Sequence, residues 1–111
     1  MPETGSYACI VLTTAANREE AARLARALVE EGLAACTTLV PGVESVYRWQ
    51  GRIESASETL LLVKTGSDHL RALEARLQAL HSYQTPEFLA FRADLVSQSY
   101  LDWLEASLRP I

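Results

Sequence analysis

Apolar positions recur along this chain with two periods, and the changes of period mark its elements. Ala8 to Thr13 is a short, continuously apolar and partly β-branched run, the pattern of a strand covered on both faces. The spacing then lengthens: Ala21, Leu24, Ala25, Leu28 and Val29 recur three and four residues apart. Asn17, with Glu20 three positions on, opens this helix and Gly32 stops it. Its stripe is mostly alanine, which lets a helix lie close to a sheet.

The next stretch is the most informative. Two strand-like runs, Leu33 to Trp49 and Arg52 to Thr65, flank a tight Gln50-Gly51 turn. At about 3.3 Å per residue either arm reaches roughly 45 Å. A compact chain of this length has a radius of gyration near ~13 Å and is roughly 35 Å across, so the hairpin is expected to overhang its own domain. Pro41-Gly42 interrupts the first arm and predicts a bend between an inner and an outer half. The second arm mirrors it, polar and alternating from Arg52 to Glu58, then apolar from Thr59 to Val63. Val43, Val46, Tyr47, Trp49 and Ile53 are expected to face outward. Exposed edges and aromatics recruit partners, so these positions read as an interface between copies of the chain.

Downstream, Ser67 is placed to cap a second helix in which Leu70, Leu73, Leu77 and Leu80 form one stripe, with His81 at its end. Pro86 to Ala93 reads as an edge-tolerant strand. A last helix, starting near Ser97 or Ser99, buries Leu101, Leu104 and Leu108 and leaves Tyr100 and Trp103 for packing or an interface. The order is βαββαβ plus a terminal helix. Short right-handed connections then favour a ferredoxin-like sandwich of the α+β type, one domain over residues 1–111 with a flexible lead from Met1 to Ser6.

Composition narrows the function classes. Of the 111 residues, 49% are hydrophobic, enough for a core, and 10 basic against 14 acidic side chains give a net charge of −4. The basic residues are scattered, so no phosphate-tracking surface and no nucleic-acid partner is expected. No run approaches the roughly 18 to 20 apolar residues of a membrane helix, and the first residues lack the pattern of a signal peptide, which makes the cytoplasm the expected compartment. Cys9 and Cys36 lie in apolar strand-like runs, where a thiol packs as a small hydrophobe. No Gly-x-Ser-x-Gly, His-Glu-x-x-His or Cys-x-x-Cys signature occurs, so no enzyme activity is expected.

Taken in order, Gly32-Leu-Ala-Ala-Cys36, Pro41-Gly-Val-Glu-Ser-Val-Tyr-Arg-Trp-Gln-Gly51, Leu62-Val-Lys-Thr65, His81-Ser-Tyr-Gln-Thr-Pro-Glu87 and Tyr100-Leu-Asp-Trp-Leu104 resemble the CutA family of divalent-cation tolerance proteins. The likeness runs from about Ile10 to Leu108, nearly the whole chain. It implies a ferredoxin-like subunit, a tight homotrimer built through the long strands, and a non-enzymatic role linked to copper and other divalent metals. The architecture is also similar to that of PII signalling proteins, trimers that bind nucleotides between subunits. Some similar chains carry cysteine at the position of Thr13 and histidine at that of Leu80 as copper ligands beside the match to His81. This chain keeps only His81 of that set.

The candidate metal ligands are therefore His81, with Glu87 as an oxygen donor and Cys36 as a soft one, a set suited to copper or zinc. The competing role for His81 is to cap helix-end carbonyls. His69, twelve residues earlier, is turned about 120° away at roughly 3.6 residues per turn, cannot share an ion with His81, and is expected to be exposed. Lys64 closes an apolar strand, where an ammonium needs a partner, either Glu87 or an anionic ligand held also by Tyr83 and Arg48.

Overall fold

Strand gives way to helix at Asn17, whose side-chain oxygen accepts the Glu20 amide at 2.8 Å. The computed structural model describes residues 6–111, so the flexible lead expected over Met1 to Ser6 lies, as far as Gly5, outside the described residues. The elements are β1 (Ala8–Ala15), α1 (Arg18–Glu30), β2 (Cys36–Trp49), β3 (Arg52–Gly66), a 3-10 turn (Ser67–His69) running into α2 (Leu70–Leu80), β4 (Leu89–Arg92) and α3 (Gln98–Ala106). The four strands form one antiparallel sheet in the order β2-β3-β1-β4. That is the expected ferredoxin-like arrangement with an added terminal helix.

β4 covers only Leu89–Arg92 of the expected Pro86 to Ala93, and β1 runs on to Ala15; two other starts differ for visible reasons. β2 begins at Cys36 and not at Leu33, because the amides of Leu33 and Ala34 still bond back to the Leu28 carbonyl at 3.0 and 3.1 Å. Gly32 makes that wrap possible with a φ of +72°, and a Cβ there would come within 2.7 Å of the Arg109 Cβ. The second difference is at Ser67. Its hydroxyl oxygen accepts the Tyr7 amide at 2.9 Å and caps nothing, so α2 starts from the 3-10 turn without a side-chain cap. His69 on that turn, expected on the surface, is only 7% exposed, its Nε2 2.7 Å from the carbonyl oxygen of Arg109.

Side chains alternate across a strand, so odd and even positions of β1 and β3 see different surroundings. Val11, Ala15, Leu61 and Val63 turn to one face and pack under α1 and α2 with Leu24, Leu28, Leu33, Leu73 and Leu77. Ile10, Leu12, Leu60, Leu62 and Lys64 turn to the other and stay half-buried. α3 covers only the end of that second face, where Leu104 meets Ala8 and Ala35. Leu89 and Phe91 of the edge strand remain 52% exposed.

The register of β2 against β3 shifts between Val40 and Val43, the bulge expected of Pro41-Gly42. Beyond it the ribbon continues to a turn in which Gln50 and Gly51 both have positive φ, 51° and 79°, the geometry that matches strand twist. The arm makes the molecule long: its extents are 47 × 27 × 24 Å.

Candidate functional site

The loop from His81 to Phe88 passes from the end of α2 around the end of β1 to β4, and it is held there by polar contacts. His81 is buried at the junction, with Nε2 2.7 Å from the Thr14 carbonyl oxygen and Nδ1 3.0 Å from the Tyr83 amide. A carbonyl only accepts, so Nε2 donates, and Nδ1 accepts the amide hydrogen with its lone pair. Both ring nitrogens are thus engaged. The helix-end role expected for His81 is met by a β1 carbonyl instead of the carbonyls of its own helix. A metal on either nitrogen would have to displace one of these bonds.

Glu20 holds the same loop from α1. Its carboxylate accepts the Ser82 amide at 2.8 Å, the Ser82 hydroxyl at 2.9 Å and the Ala16 amide at 3.3 Å. Burial alone raises this carboxyl, but the bonds from Ser82 and Ala16 and the adjacent His81 outweigh it and hold the group below the usual carboxylate range. The helix-opening pair read from sequence accounts for only half of what Glu20 does.

With its start pinned, the loop carries Tyr83 to Glu58 at the root of the arm. The Tyr83 hydroxyl donates to the Glu58 carboxylate at 2.6 Å, and its ring lies 4.7 Å from the His81 ring. Burial, then the bond to Glu58, push the phenol well above its ordinary value. Burial and the Glu58 charge likewise raise the Glu87 carboxyl. Tyr83 thus bonds Glu58, a buried carboxylate the motif reading missed and one whose charge Glu87 feels. Its signal was in the sequence: it is the last charge before β3 turns apolar.

The other candidates lie elsewhere. Lys64 pairs across the sheet with Cys36, its ammonium bonding the Thr38 hydroxyl and lying 3.9 Å from the Cys36 sulfur. Lys64 is six residues along β3 from Glu58, about 20 Å of strand. It forms no ion pair with Glu87 or any other described carboxylate, which corrects that expectation. Cys36 is correspondingly remote from His81, since Lys64 stands opposite Ile10 and the His81 anchor is Thr14, about 13 Å further along β1. Arg48 sits far out on the exposed arm opposite Ile53. One copy of the chain thus gathers neither the trio His81, Glu87 and Cys36 nor the trio Lys64, Tyr83 and Arg48. Among the described residues no three His, Cys, Asp or Glu side chains are grouped so as to hold a metal ion.

The expected interface residues are on the surface: Val46 is 67% exposed and Ile53 62%, with Tyr47 and Trp49 beside them and Val43 half-buried at the bulge. Trp103 is exposed on α3 and stacks against Tyr100 at 5.5 Å.

A sequence profile described as CutA1 divalent ion tolerance protein matches residues 9–107. The chain belongs to the CutA1 divalent ion tolerance family. It is 47% identical over 95 residues to the divalent-cation tolerance protein CutA of Thermus thermophilus, covering 86% of this chain and 92% of that one. It is 44% identical over 100 residues to the chloroplastic protein CutA of Arabidopsis thaliana, covering 90% of this chain but only 55% of the plant protein's length. The crystal structure of CutA1 from Oryza sativa superposes with a TM-score of 0.90 at 40% identity, covering 92% of this chain and 94% of that one. Family membership thus carries both the fold and the tolerance label. The Arabidopsis relative is named as chloroplastic, and in this chain no described helix is long and apolar enough to cross a membrane.

Proposed function

We propose that this chain acts without catalysis as a homotrimeric divalent-cation tolerance protein in the cytoplasm, holding copper or another divalent metal weakly at junctions between copies. The observation that carries this reading is the arm beyond the bulge, where Val46 and Ile53 stay 67% and 62% exposed within one chain. That calls for at least one further copy, and the number three follows the likeness to the family. A copy packed along the arm would set its own side chains beside Glu58 and Glu87, which alone are too few donors for a metal site. His81 then serves as the pin that places Tyr83 and Glu87, not as a ligand.

Sedimentation of the full chain at micromolar concentration is expected to give the mass of three copies. Calorimetric titration with zinc or copper is expected to show binding that Glu87→Gln weakens. A folded single chain would overturn the assembly, and undiminished binding by the variant would overturn the junction site.

Lys64 favours a second reading. Its ammonium has no carboxylate partner among the described residues and lies on the open sheet face. A regulatory module of PII type would hold a small anion or nucleotide there, with Tyr83 and Arg48 supplied by a neighbouring copy. ATP binding abolished by Lys64→Ala, with metal binding absent, would select it.

A further inference from the structure

Lys64 is the only lysine of the chain, and it stands against one of only two cysteines. Cys36 and Lys64 are directly opposite partners of β2 and β3, so both side chains leave the same face of the sheet. Thr38, two residues along β2, shares that face and bonds the ammonium, which is held 3.9 Å from the Cys36 sulfur. No described carboxylate pairs with Lys64 to draw the nitrogen away. Cys36 and Lys64 are half-buried and Thr38 is exposed, on the face that α3 covers only at its end. A reagent hardly larger than water needs no pocket to meet them.

The other thiol is placed differently. Cys9 is 2% exposed, and burial pushes its thiol above the ordinary value against the pull of Arg92. It adjoins Ile10, the residue opposite Lys64, and so points to the other face of the sheet. β3 lies between β1 and β2, which sets the two cysteine backbones about 9–10 Å apart or more, beyond the roughly 7 Å that a disulfide spans. An oxidised Cys36 therefore has no thiol of its own chain to resolve it. The nucleophile within reach is the Lys64 nitrogen.

We propose that Cys36 and Lys64 form a modification site at which a peroxide joins β2 to β3 through a sulfenamide bond. In the first step the Cys36 thiol gives two electrons to the peroxide: the O–O bond breaks, an S–O bond forms, and one water leaves with the thiol proton. Lys64 then releases a proton to solvent, and its amine attacks the sulfur. An S–N bond forms as the S–O bond breaks, and the departing hydroxide takes a second proton from the nitrogen and leaves as water. The link closes the base of the hairpin and removes the one lysine charge of the chain. An added thiol reverses it by attacking the sulfur and returning the amine. The site rests on neither functional reading above.

The test treats the full-length protein with a mild excess of hydrogen peroxide, weighs it intact and maps it after trypsin. Each chain is expected to lose the mass of two hydrogen atoms, and dithiothreitol should restore it. The map should show residues 27–48 joined to residues 53–71, uncut at Lys64, because trypsin needs a free lysine side chain. Lys64→Arg keeps the positive charge but offers no nucleophilic amine. That variant should form no link and should accumulate a sulfenic acid on Cys36 that dimedone captures. No change of mass, a sulfenic or sulfinic acid that persists on Cys36 of the parent, oxidation at Cys9 first, or a disulfide between copies would overturn the proposal. So would an undiminished loss of two hydrogens in Lys64→Arg. Should Lys64→Arg fail to fold, the map of the parent protein decides alone.

Discussion

On either side of the Val40 to Val43 bulge the same two strands live in different surroundings. From Thr59 to Gly66, β3 alternates buried with half-buried residues, whereas from Arg52 to Ser57 only Ala56 is even half-covered. One face of the inner half is closed by α1 and α2. The outer half carries Val46, Trp49 and Ile53 exposed on a ribbon that the Tyr83 loop meets only at its root. Backbone pairing is continuous through both halves apart from the bulge, so hydrogen bonding does not distinguish them; burial of apolar surface does. On the proposed assembly, one strand serves folding at one end and association at the other, with the change at the bulge.

Substitutions on the two sides should therefore fail in different ways. Leu61 is fully buried on the sheet face beneath α1 and α2, and Leu61→Ala is expected to lower unfolding stability by about 2–5 kcal/mol, measured by denaturant titration at any protein concentration. Val46→Glu should leave the fold of a single copy within about 0.5 kcal/mol of its starting value, as for an exposed site. It should instead split the assembly and make the melting temperature follow the concentration of the remaining oligomer. If Val46→Glu still sediments with the parent protein, the arm is not the interface.

Much of this division was legible in the sequence because its signals are local. Pro41-Gly42 marks its own bulge, Gln50-Gly51 its own turn, and Asn17 with Gly32 bracket α1 within a few residues. What escaped depends on partners far along the chain. His81 meets Thr14 across 67 residues, Ser82 meets Glu20 across 62, and His69 meets Arg109 across 40. Periodicity places such residues on an element but says nothing about what the opposite element offers, which is why His69 was expected in solvent and Lys64 beside Glu87. The start of β2 was misplaced for a related reason: Leu33 and Ala34 have strand-like character, but Gly32 folds them back onto Leu28.

The loop that faces the arm's root rests on Glu20, and its charge gives a pH signature. Glu20→Gln would keep one acceptor oxygen but turn its NH2 toward either the Ser82 amide or the Ala16 amide, costing about 1.5–3 kcal/mol at neutral pH. Because the folded carboxyl is held below its unfolded value, its contribution is complete above the ordinary carboxylate pKa of about 4.3 and is lost as pH falls through the lower folded one. Stability curves of the parent and the variant, separated at pH 7, should therefore draw together in acid. Curves that stay parallel would mean that the carboxylate is not what secures the loop.

Glu87 should show the opposite sign with a smaller amplitude. Its carboxyl is raised, by burial and by the charge of Glu58, so it favours the folded state below the ordinary carboxylate pKa and loses that contribution as pH rises through the folded value. At pH 7 the ionised group works against folding, and Glu87→Gln is expected to stabilise the chain by less than about 1 kcal/mol, since solvent screens an exposed side chain. The gain should vanish near pH 4. If Glu87 instead stands at a junction where divalent metal neutralises it, saturating zinc will reverse the order, making the parent the more stable protein at pH 7 while Glu87→Gln is unmoved.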